Sequence, residues 1–388
     1  MWSLLFRRKH WPIGLDIGRH SIKMLQLRKV GQTVCVSACA RWEFADGAGA
    51  DPKQRRRETV NAVREMLRDH RFRGRRVVSA LSSEDLNIKN VRLPQMPEDE
   101  LMSALEQEAR ARFGYEAATD QLCCLHAGQV RAGNEMRNEI IILEVPAAKV
   151  AEHLSLLADA GLRVEHIDAE PVALFRGMGR LLRRRMDEQA VSVVLDVGLL
   201  GSRVVVARGR RIVFIKSIDI GGRKLTEAVA RQLNLEYTEA AELRARMMHD
   251  GAARRSRQGD AACAHDRDSV EWTVHDAVRG EVEALAREVA LCLRYCSVTF
   301  RGLRPERITV TGGQAYDPAL IRLLNEHMNI ECVVGEPLKG IEYSGVDFGS
   351  DRRAPLSEWA VCAGLALRNL TPRERTREAD HAERRLSA

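Results

Sequence analysis

The chain has 388 residues, 45% of them hydrophobic and 30% charged, and its formal net charge is +7. This length suits two or three compact units. No run approaches the roughly 18–20 apolar residues of a membrane-spanning helix. The first residues also lack the long apolar stretch of a signal peptide, so we expect a cytoplasmic protein. The arginines are dispersed without a helix-turn-helix or zinc-finger pattern, which indicates solvated surface rather than nucleic-acid binding.

The first ten residues form a basic N-terminal segment, 1–10, in which a small apolar cluster precedes Arg7, Arg8 and Lys9. That composition suits contact with the inner face of a membrane. A frayed terminus is the alternative interpretation.

From residue 11 to residue 82 the pattern predicts a hairpin, a further strand, a helix and another strand. The hairpin turns at Asp16-Ile17-Gly18, directly after an apolar strand. Glycine lets a backbone approach an anion closely, successive N–H groups of such a turn point at it, and a carboxylate can hold hydrated Mg²⁺. The turn therefore predicts a phosphate site, although Asp-x-Gly is also an ordinary hairpin turn.

The pattern of apolar and polar residues changes over residues 83–165. It predicts a compact α/β unit inserted into the first unit. A strand ends at Pro94, an amphipathic helix covers Glu98 to Phe113, and a short apolar strand covers Ile140 to Val145. A helix from Ala147 to Ala160 and a strand from Val164 to Ile167 complete the predicted unit.

Residues 166–190 return to the first unit and contain a predicted helix with Glu170 at its start. The acid is either favoured there by the helix dipole or is a functional carboxylate. A closing helix over residues 355–370 is also assigned to this unit, and residues 371–388, with almost no apolar side chains, predict a disordered tail.

Residues 191–354 begin with a second copy of the hairpin, in which Asp196-Val197-Gly198 stands 196 − 16 = 180 residues after the first Asp. Predicted helices occupy residues 223–300, interrupted by a mobile loop at 251–268 that is rich in polar residues. A β-branched strand then ends at Gly312 and Gly313. Two copies of one turn predict a duplicated fold around one nucleotide.

These three glycine-containing stretches, taken in order, resemble the phosphate-1, phosphate-2 and adenosine motifs of the actin-like ATPase superfamily. The resemblance implies an α/β fold of duplicated RNase H-like lobes that binds ATP and Mg²⁺. It places Asp16 and Asp196 at the metal and Glu170 as an orienter of water or Mg²⁺. The residues implied at the nucleotide are Gly18, Arg19, Ser21, Lys23, Gly198, Gly201, Ser202, Gly222, Arg244, Gly312 and Gly313.

Within that superfamily the chain resembles the PilM family of type IV pilus assembly proteins. The inserted unit takes the place it has in PilM and in the division protein FtsA. The stretches that carry this likeness are residues 13–23, 168–174, 221–227 and 359–368. It implies a cytoplasmic scaffold, peripheral at the inner face of the membrane, that binds the N-terminal cytoplasmic tail of a PilN-like single-span protein. A homodimer is left open.

Two departures bear on catalysis. Arg19 occupies a place that is commonly small or hydroxylic, and Leu199 and Leu200 form the tip of the second turn. Apolar side chains cannot activate water, so we expect ATP hydrolysis to be slow or absent unless Glu170 supplies the base.

Two other functions remain as alternatives. A filament-forming relative of FtsA or actin would share the fold, but residues 371–388 lack the apolar face of a membrane helix. A small-molecule kinase of the same superfamily would need an Asp aimed at a substrate hydroxyl, and the sequence offers no convincing one.

Overall fold

The structure, a computed structural model, describes residues 10–44, 51–179, 189–257, 270–302, 304–349 and 355–370. The described strands are β1 His10–Ile17, β2 Ser21–Val30, β3 Thr33–Glu43, β4 Arg76–Leu81, β5 Asn87–Pro94, β6 Asp120–Ala132, β7 Glu135–Pro146, β8 Arg163–Ala169, β9 Val191–Val197, β10 Ser202–Arg208, β11 Arg211–Ile218, β12 Arg307–Thr311 and β13 Glu331–Val334. The described α-helices are α1 Pro52–Asp69, α2 Glu98–Phe113, α3 Ala147–Asp159, α4 Glu170–Gly179, α5 Gly222–Leu233, α6 Tyr237–Arg257, α7 Val270–Thr299, α8 Pro318–His327 and α9 Ala360–Ala366.

The chain divides into two compact units, each built from separate stretches. The first comprises Met1–Gly177, Gly340–Val346 and Val361–Ala388, and the second comprises Met178–Lys339 and Asp347–Ala360. Each unit has a five-stranded sheet of its own.

The first unit contains the sheet of order β3-β2-β1-β4-β8, in which β1, β4 and β8 are parallel. The strands β1 and β2 are mostly buried along their length, which is typical of a sheet that is covered on both faces. On one side, Val63 and Leu67 of α1 and Leu157 of α3 pack with Ile13 and other side chains of the sheet in a continuous core. The apolar spacing of α1 therefore predicted the helix correctly, although it begins five residues earlier than Arg57 with Pro52 in its first turn.

A second sheet of the same unit has the order β5-β7-β6 and carries α2 on one face. Leu101 and Leu105 of α2 pack on Ile140 and Ile142 of β7. The long strand β6 was not predicted. It is only half-buried, and its alternating polar residues leave no clear apolar pattern in the sequence. The structure differs from the predicted unit 83–165 at two elements. Strand β8 pairs with β4 of the first sheet, and helix α3 covers that sheet. Only residues 87–146 share the separate sheet, and the subdomain boundaries themselves stay a prediction.

The second unit repeats the first sheet. Its five strands have the order β11-β10-β9-β12-β13, with antiparallel hairpins followed by two parallel strands, as in β3-β2-β1-β4-β8. Among the helices of this unit, α7 has buried side chains at Val278, Val282, Leu285 and Val289. Their helical spacing predicted this element.

Two predicted segments differ at their ends. Residues 251–257, placed in a mobile loop, continue α6 as helix. The rest of that loop, the tail 371–388 and residues 1–9 lie outside the described residues. The predicted closing helix 355–370 is instead a 3₁₀ turn at Ser357–Trp359, then α9, then a second 3₁₀ turn at Arg368–Leu370. Within the described ranges no helix has the length and apolarity needed to cross a membrane.

Candidate functional site

The first Asp-x-Gly turn joins β1 to β2 at the carboxyl end of β1. Asp16 and Lys23 are opposite each other in the hairpin, and Lys23 Nζ lies 3.6 Å from Asp16 Oδ2. Gly18 N donates to Ser21 O at 3.0 Å, which closes the turn. Both charged side chains are largely buried, with 10% of Lys23 and 13% of Asp16 exposed, so the pair is held in a low-dielectric setting.

Arg55 of α1 fixes the outside of this turn. Its guanidinium donates to Gly18 O at 3.0 Å and to Arg19 O at 2.6 Å. It also lies 3.1 Å from the centre of the Phe44 ring. Arg19 itself points to Glu84, and its Nε donates to Glu84 Oε2 at 3.1 Å. The Arg19 guanidinium, predicted to meet phosphate, is therefore bonded to a carboxylate here.

The second turn joins β9 to β10 and repeats the arrangement. Arg203 is opposite Asp196 in the hairpin and donates to Asp196 Oδ2 at 2.8 Å. Thr311, at the end of β12, donates its hydroxyl to Asp196 Oδ1 at 3.0 Å. Gly198 N donates to Gly201 O at 3.0 Å, as Gly18 does to Ser21. Ser202, predicted to shape the turn, is buried, and its hydroxyl donates to Ile220 O.

Arg203 was missed in the sequence although a signal was present. It follows its aspartate by 203 − 196 = 7 residues, just as Lys23 follows Asp16 by 23 − 16 = 7. The two hairpins have the same register, so equal spacing places each cation directly opposite the aspartate of its own hairpin. Each turn thus combines one carboxylate, one cation and a glycine backbone.

The third motif lies beside the second turn. Gly312 has φ 89°, and a Cβ on it would collide with the carbonyl oxygen of Val197 and lie 3.0 Å from Asp196 Oδ1. Only glycine fits that position without strain. A Cβ on Gly313, by contrast, would have no neighbour within 4 Å among the described residues. Gly313 therefore faces free space beside the turn.

Arg244 of α6 ties several of these segments together. It donates to Gly222 O at 3.0 Å, to Gln314 Oε1 at 2.8 Å and to Asp317 Oδ2 at 2.6 Å. Asp317 in turn accepts from Ala319 N at 2.9 Å and so caps α8. Since 2% of the Arg244 side chain is exposed, its main contacts are within the protein, and it positions the glycine segments rather than reaching outward.

Glu170 begins α4 and is buried. Its Oε2 accepts from Ser83 N at 2.8 Å, just after β4.

Nearby, Asp168 bonds Arg176 at 2.7 Å and Arg368 at 3.0 Å. Burial alone would raise the pKa of the Asp168 carboxyl, but the charges of Arg176 and Arg368 outweigh burial and hold that pKa below its usual value.

The predicted site residues fall into two sets. The first unit carries Asp16, Gly18, Arg19, Ser21, Lys23 and Glu170, and the second carries Asp196, Gly198, Gly201, Ser202, Gly222, Arg244, Gly312 and Gly313. In the first set Asp16 faces Lys23 and Gly18 bonds Ser21, whereas Arg19 and Glu170 bond residues outside the set. In the second set, hydrogen bonds link Gly198 with Gly201 and Gly222, and Gly222 with Arg244. The described residues contain no group of three or more His, Cys, Asp or Glu side chains arranged to hold a metal ion.

Comparison with known proteins agrees with this architecture. A solved PilM-PilN type IV pilus biogenesis complex matches at a TM-score of 0.73 with 23% identity, over 93% of this chain and 99% of that chain. The ethanolamine utilization protein EutJ from Carboxydothermus hydrogenoformans matches at a TM-score of 0.52 with 14% identity, over 92% of this chain and 89% of that chain. A family model described as type IV pilus assembly protein PilM matches residues 14–250.

The fold that this chain shares with these structures, in which the five-stranded sheet occurs twice, is the actin-like ATPase fold. The match of the family model extends over more than half of the chain. The chain therefore belongs to the PilM family of type IV pilus assembly proteins.

Proposed function

We propose that this chain is an ATP-binding scaffold of a type IV pilus, or related secretion, assembly platform. The observation that carries the proposal is the duplicated turn, in which Asp16 faces Lys23 and Asp196 faces Arg203 across equivalent hairpins. Lysine and arginine are the side chains that bind phosphate groups. Hydrated Mg²⁺ is held by carboxylates, which suits Asp16 and Asp196.

The residues present fit a nucleotide in three respects. Each turn has a cation and a glycine backbone that allows close approach, at the carboxyl edge of its sheet, where open α/β folds bind ligands. A side chain at Gly313 would meet no atom within 4 Å among the described residues, so the backbone there is open to the adenosine that we propose beside it. When bound, Mg²⁺ would neutralise phosphate charge, while Lys23 and Arg203 would orient the phosphates as donors.

We further expect hydrolysis to be slow or absent. The Glu170 carboxylate accepts the backbone N–H of Ser83, a bond that restrains it from acting as a base. Leu199 and Leu200 at the second turn carry no group that could activate water. ATP would then serve as a conformational ligand, and its effect would be on partner binding.

The proposed partner is the cytoplasmic N-terminal tail of a PilN-like single-span protein. Membership of the PilM family supports it, and so does the likeness to a structure solved as a PilM-PilN complex. The groove that we propose for the tail lies in the first unit, between its five-stranded sheet and the sheet β5-β7-β6. Such binding would bring a cytoplasmic protein to the inner face of the membrane, whether as a monomer or a homodimer.

Calorimetric titration with ATP, with and without Mg²⁺, tests the nucleotide site. We expect binding to the natural chain that weakens at least tenfold in an Asp16→Ala/Asp196→Ala variant and in an Arg203→Gln variant. An Arg246→Gln variant, changed at an exposed arginine of α6, is the matched control. Binding that is equal in all four proteins would refute the proposed site.

A further inference from the structure

Two carbonyl groups of the first Asp-x-Gly turn are bonded to one side chain of α1. The oxygens of Gly18 and Arg19 both accept from Nη2 of Arg55, at 3.0 Å and 2.6 Å. The guanidinium is itself held, because it lies 3.1 Å from the centre of the Phe44 ring. Phe44 N in turn donates to His20 O at 3.0 Å. The turn, the ring and the arginine therefore restrain one another.

The second turn has the equivalent carbonyl groups bonded to a different donor. Here the oxygens of Gly198 and Leu199 accept from Gly222 N at 2.9 Å and from Arg223 N at 2.8 Å, where α5 begins. The same two peptide groups are thus fixed in both turns. A side chain fixes them in the first unit, and backbone N–H groups of a helix fix them in the second.

Bonded carbonyl groups determine where the following N–H groups point. A trans peptide is planar, so the N–H of each residue points away from the carbonyl of the residue before it. The N–H groups of Arg19 and His20 therefore face away from Arg55, and the described residues supply no acceptor to either of them. The N–H groups of Leu199 and Leu200 have the same arrangement in the second turn. Successive N–H groups on one side of a turn are donors suited to an anion.

We infer that Arg55 is a positioning residue of the proposed nucleotide site. It holds two peptide groups of the first turn so that the N–H groups of Arg19 and His20 bind a phosphate of ATP. The inference rests on the ATP binding proposed above and identifies the side chain that prepares the first turn for it. Arg55 does not itself touch the nucleotide, because its Nη2 is used by the two carbonyl groups.

The chemistry of arginine suits this role. Its N–H donors lie in one rigid plane, and that plane stacks on an aromatic ring such as Phe44. Without Arg55, the hairpin bond from Gly18 N to Ser21 O would be the remaining backbone restraint on the turn. The two peptide groups would then rotate more freely and present carbonyl oxygens to a phosphate part of the time. Ordering them again on binding would lower the affinity.

Calorimetric titration of the full chain with ATP and Mg²⁺, with inorganic triphosphate and with adenosine tests the inference. Arg55→Gln should weaken the binding of ATP and of triphosphate roughly tenfold, because the N–H donors are no longer held toward phosphate. Adenosine has no phosphate, so its affinity should stay within about twofold of that for the natural chain. An equal loss for all three ligands would indicate general damage and overturn a role at the phosphate.

Two further variants separate position from charge. Arg57→Gln is the matched control, because Arg57 is an exposed arginine of the same helix and its loss removes the same charge. It should bind all three ligands as the natural chain does. Arg55→Lys keeps the charge but loses the planar fork and the stacking on Phe44, so it should also bind ATP and triphosphate several-fold more weakly. Full affinity in Arg55→Lys would show that charge alone matters and would overturn the inference.

Amide resonances of the ¹⁵N-labelled chain give a readout that does not depend on affinity. At saturating triphosphate, the Arg19 and His20 N–H signals should move downfield in the natural chain. The Gly18 signal should stay in place, because Gly18 N is already bonded to Ser21 O. The movements should be absent in Arg55→Gln, and their persistence in that variant would contradict the inference.

The outcomes separate this inference from the proposed function. If Arg55→Gln binds ATP normally while Asp16→Ala/Asp196→Ala does not, the inference fails and the nucleotide site stands. Triphosphate binding that depends on Arg55, in a chain that does not bind ATP, would support the inference for phosphate and refute the nucleotide-binding scaffold. A natural chain that binds neither ligand would refute both.

Discussion

Single residues at the second turn are constrained by backbone packing. Gly312 has a positive φ and lies against the carbonyl of Val197, whereas its neighbour Gly313 faces free space. The two adjacent glycines therefore have different reasons to be glycine. The first is required by the fold, and the second leaves room beside the turn.

Gly312→Ala should lower the free energy of unfolding by about 2–4 kcal/mol, because alanine adds both a strained φ and a collision. Gly313→Ala is the matched control and should change stability by less than about 1 kcal/mol. Thermal or urea unfolding measures both. Similar losses in the two variants would contradict the geometry.

Arg244 is the buried charge that couples α6 to α8 through Asp317. Removing one partner of such a pair leaves the other charge buried and uncompensated. Arg244→Met should therefore cost about 3–5 kcal/mol of stability. Arg246→Met, on the same helix with three quarters of its side chain exposed, should leave the unfolding midpoint unchanged.

Asp168 makes the stability of the first unit depend on pH. Its pKa is lowered in the folded state because Arg176 and Arg368 outweigh the effect of burial. The stability that it contributes is present above the unfolded pKa of about 4 and is lost as pH falls through the lower folded value. Unfolding measured from about pH 6 to pH 3 should show a shallower decline in Asp168→Asn than in the natural chain. An identical slope in the two proteins would mean that groups other than Asp168 cause the loss of stability in acid.

Among the elements, α9 is held to the first unit by close backbone approach. A Cβ on Gly14 of β1 would lie 2.5 Å from Ala366 N, and a Cβ on Gly364 of α9 would collide with Ala173 O of α4. Small residues at these points let α9 lie directly against a strand and another helix. Cys362, Ala363 and Leu365 are fully buried as a result.

Gly364→Ala should lower the unfolding midpoint markedly, since the colliding atom is backbone and cannot rotate away. Gly345→Ala, at a glycine with open space, is the control and should be close to neutral. Circular dichroism melts compare the two. A neutral Gly364→Ala would mean that α9 does not dock as described.

For the whole molecule, the first unit depends on the end of the chain. Because this unit takes its last part from Val361 onward, its packing is completed only by the last described residues. A chain that ends at residue 356 should therefore show faster amide hydrogen exchange in β1 than a chain that ends at residue 370. Equal exchange in both chains would show that the first unit folds without α9.

The sequence by itself determined the elements with a strong local signal. Both Asp-x-Gly hairpins and α2 were predicted with nearly the observed bounds, because an apolar strand closed by glycine and a 3.6-residue apolar period are local patterns. The same succession of strand, Asp-x-Gly turn and strand at two places in the chain then implied the duplicated fold, which the comparisons confirm.

Only the tertiary structure decided which distant segments meet. It placed β8 beside β4, paired Arg203 with Asp196, buried Arg244 on Asp317, and brought Arg163 next to the segment at Arg75. Strand register and burial set these contacts, and both depend on the packing of segments far apart in the chain. A charged side chain has the same local appearance in sequence whether it is solvated, buried in an ion pair or gathered into a surface.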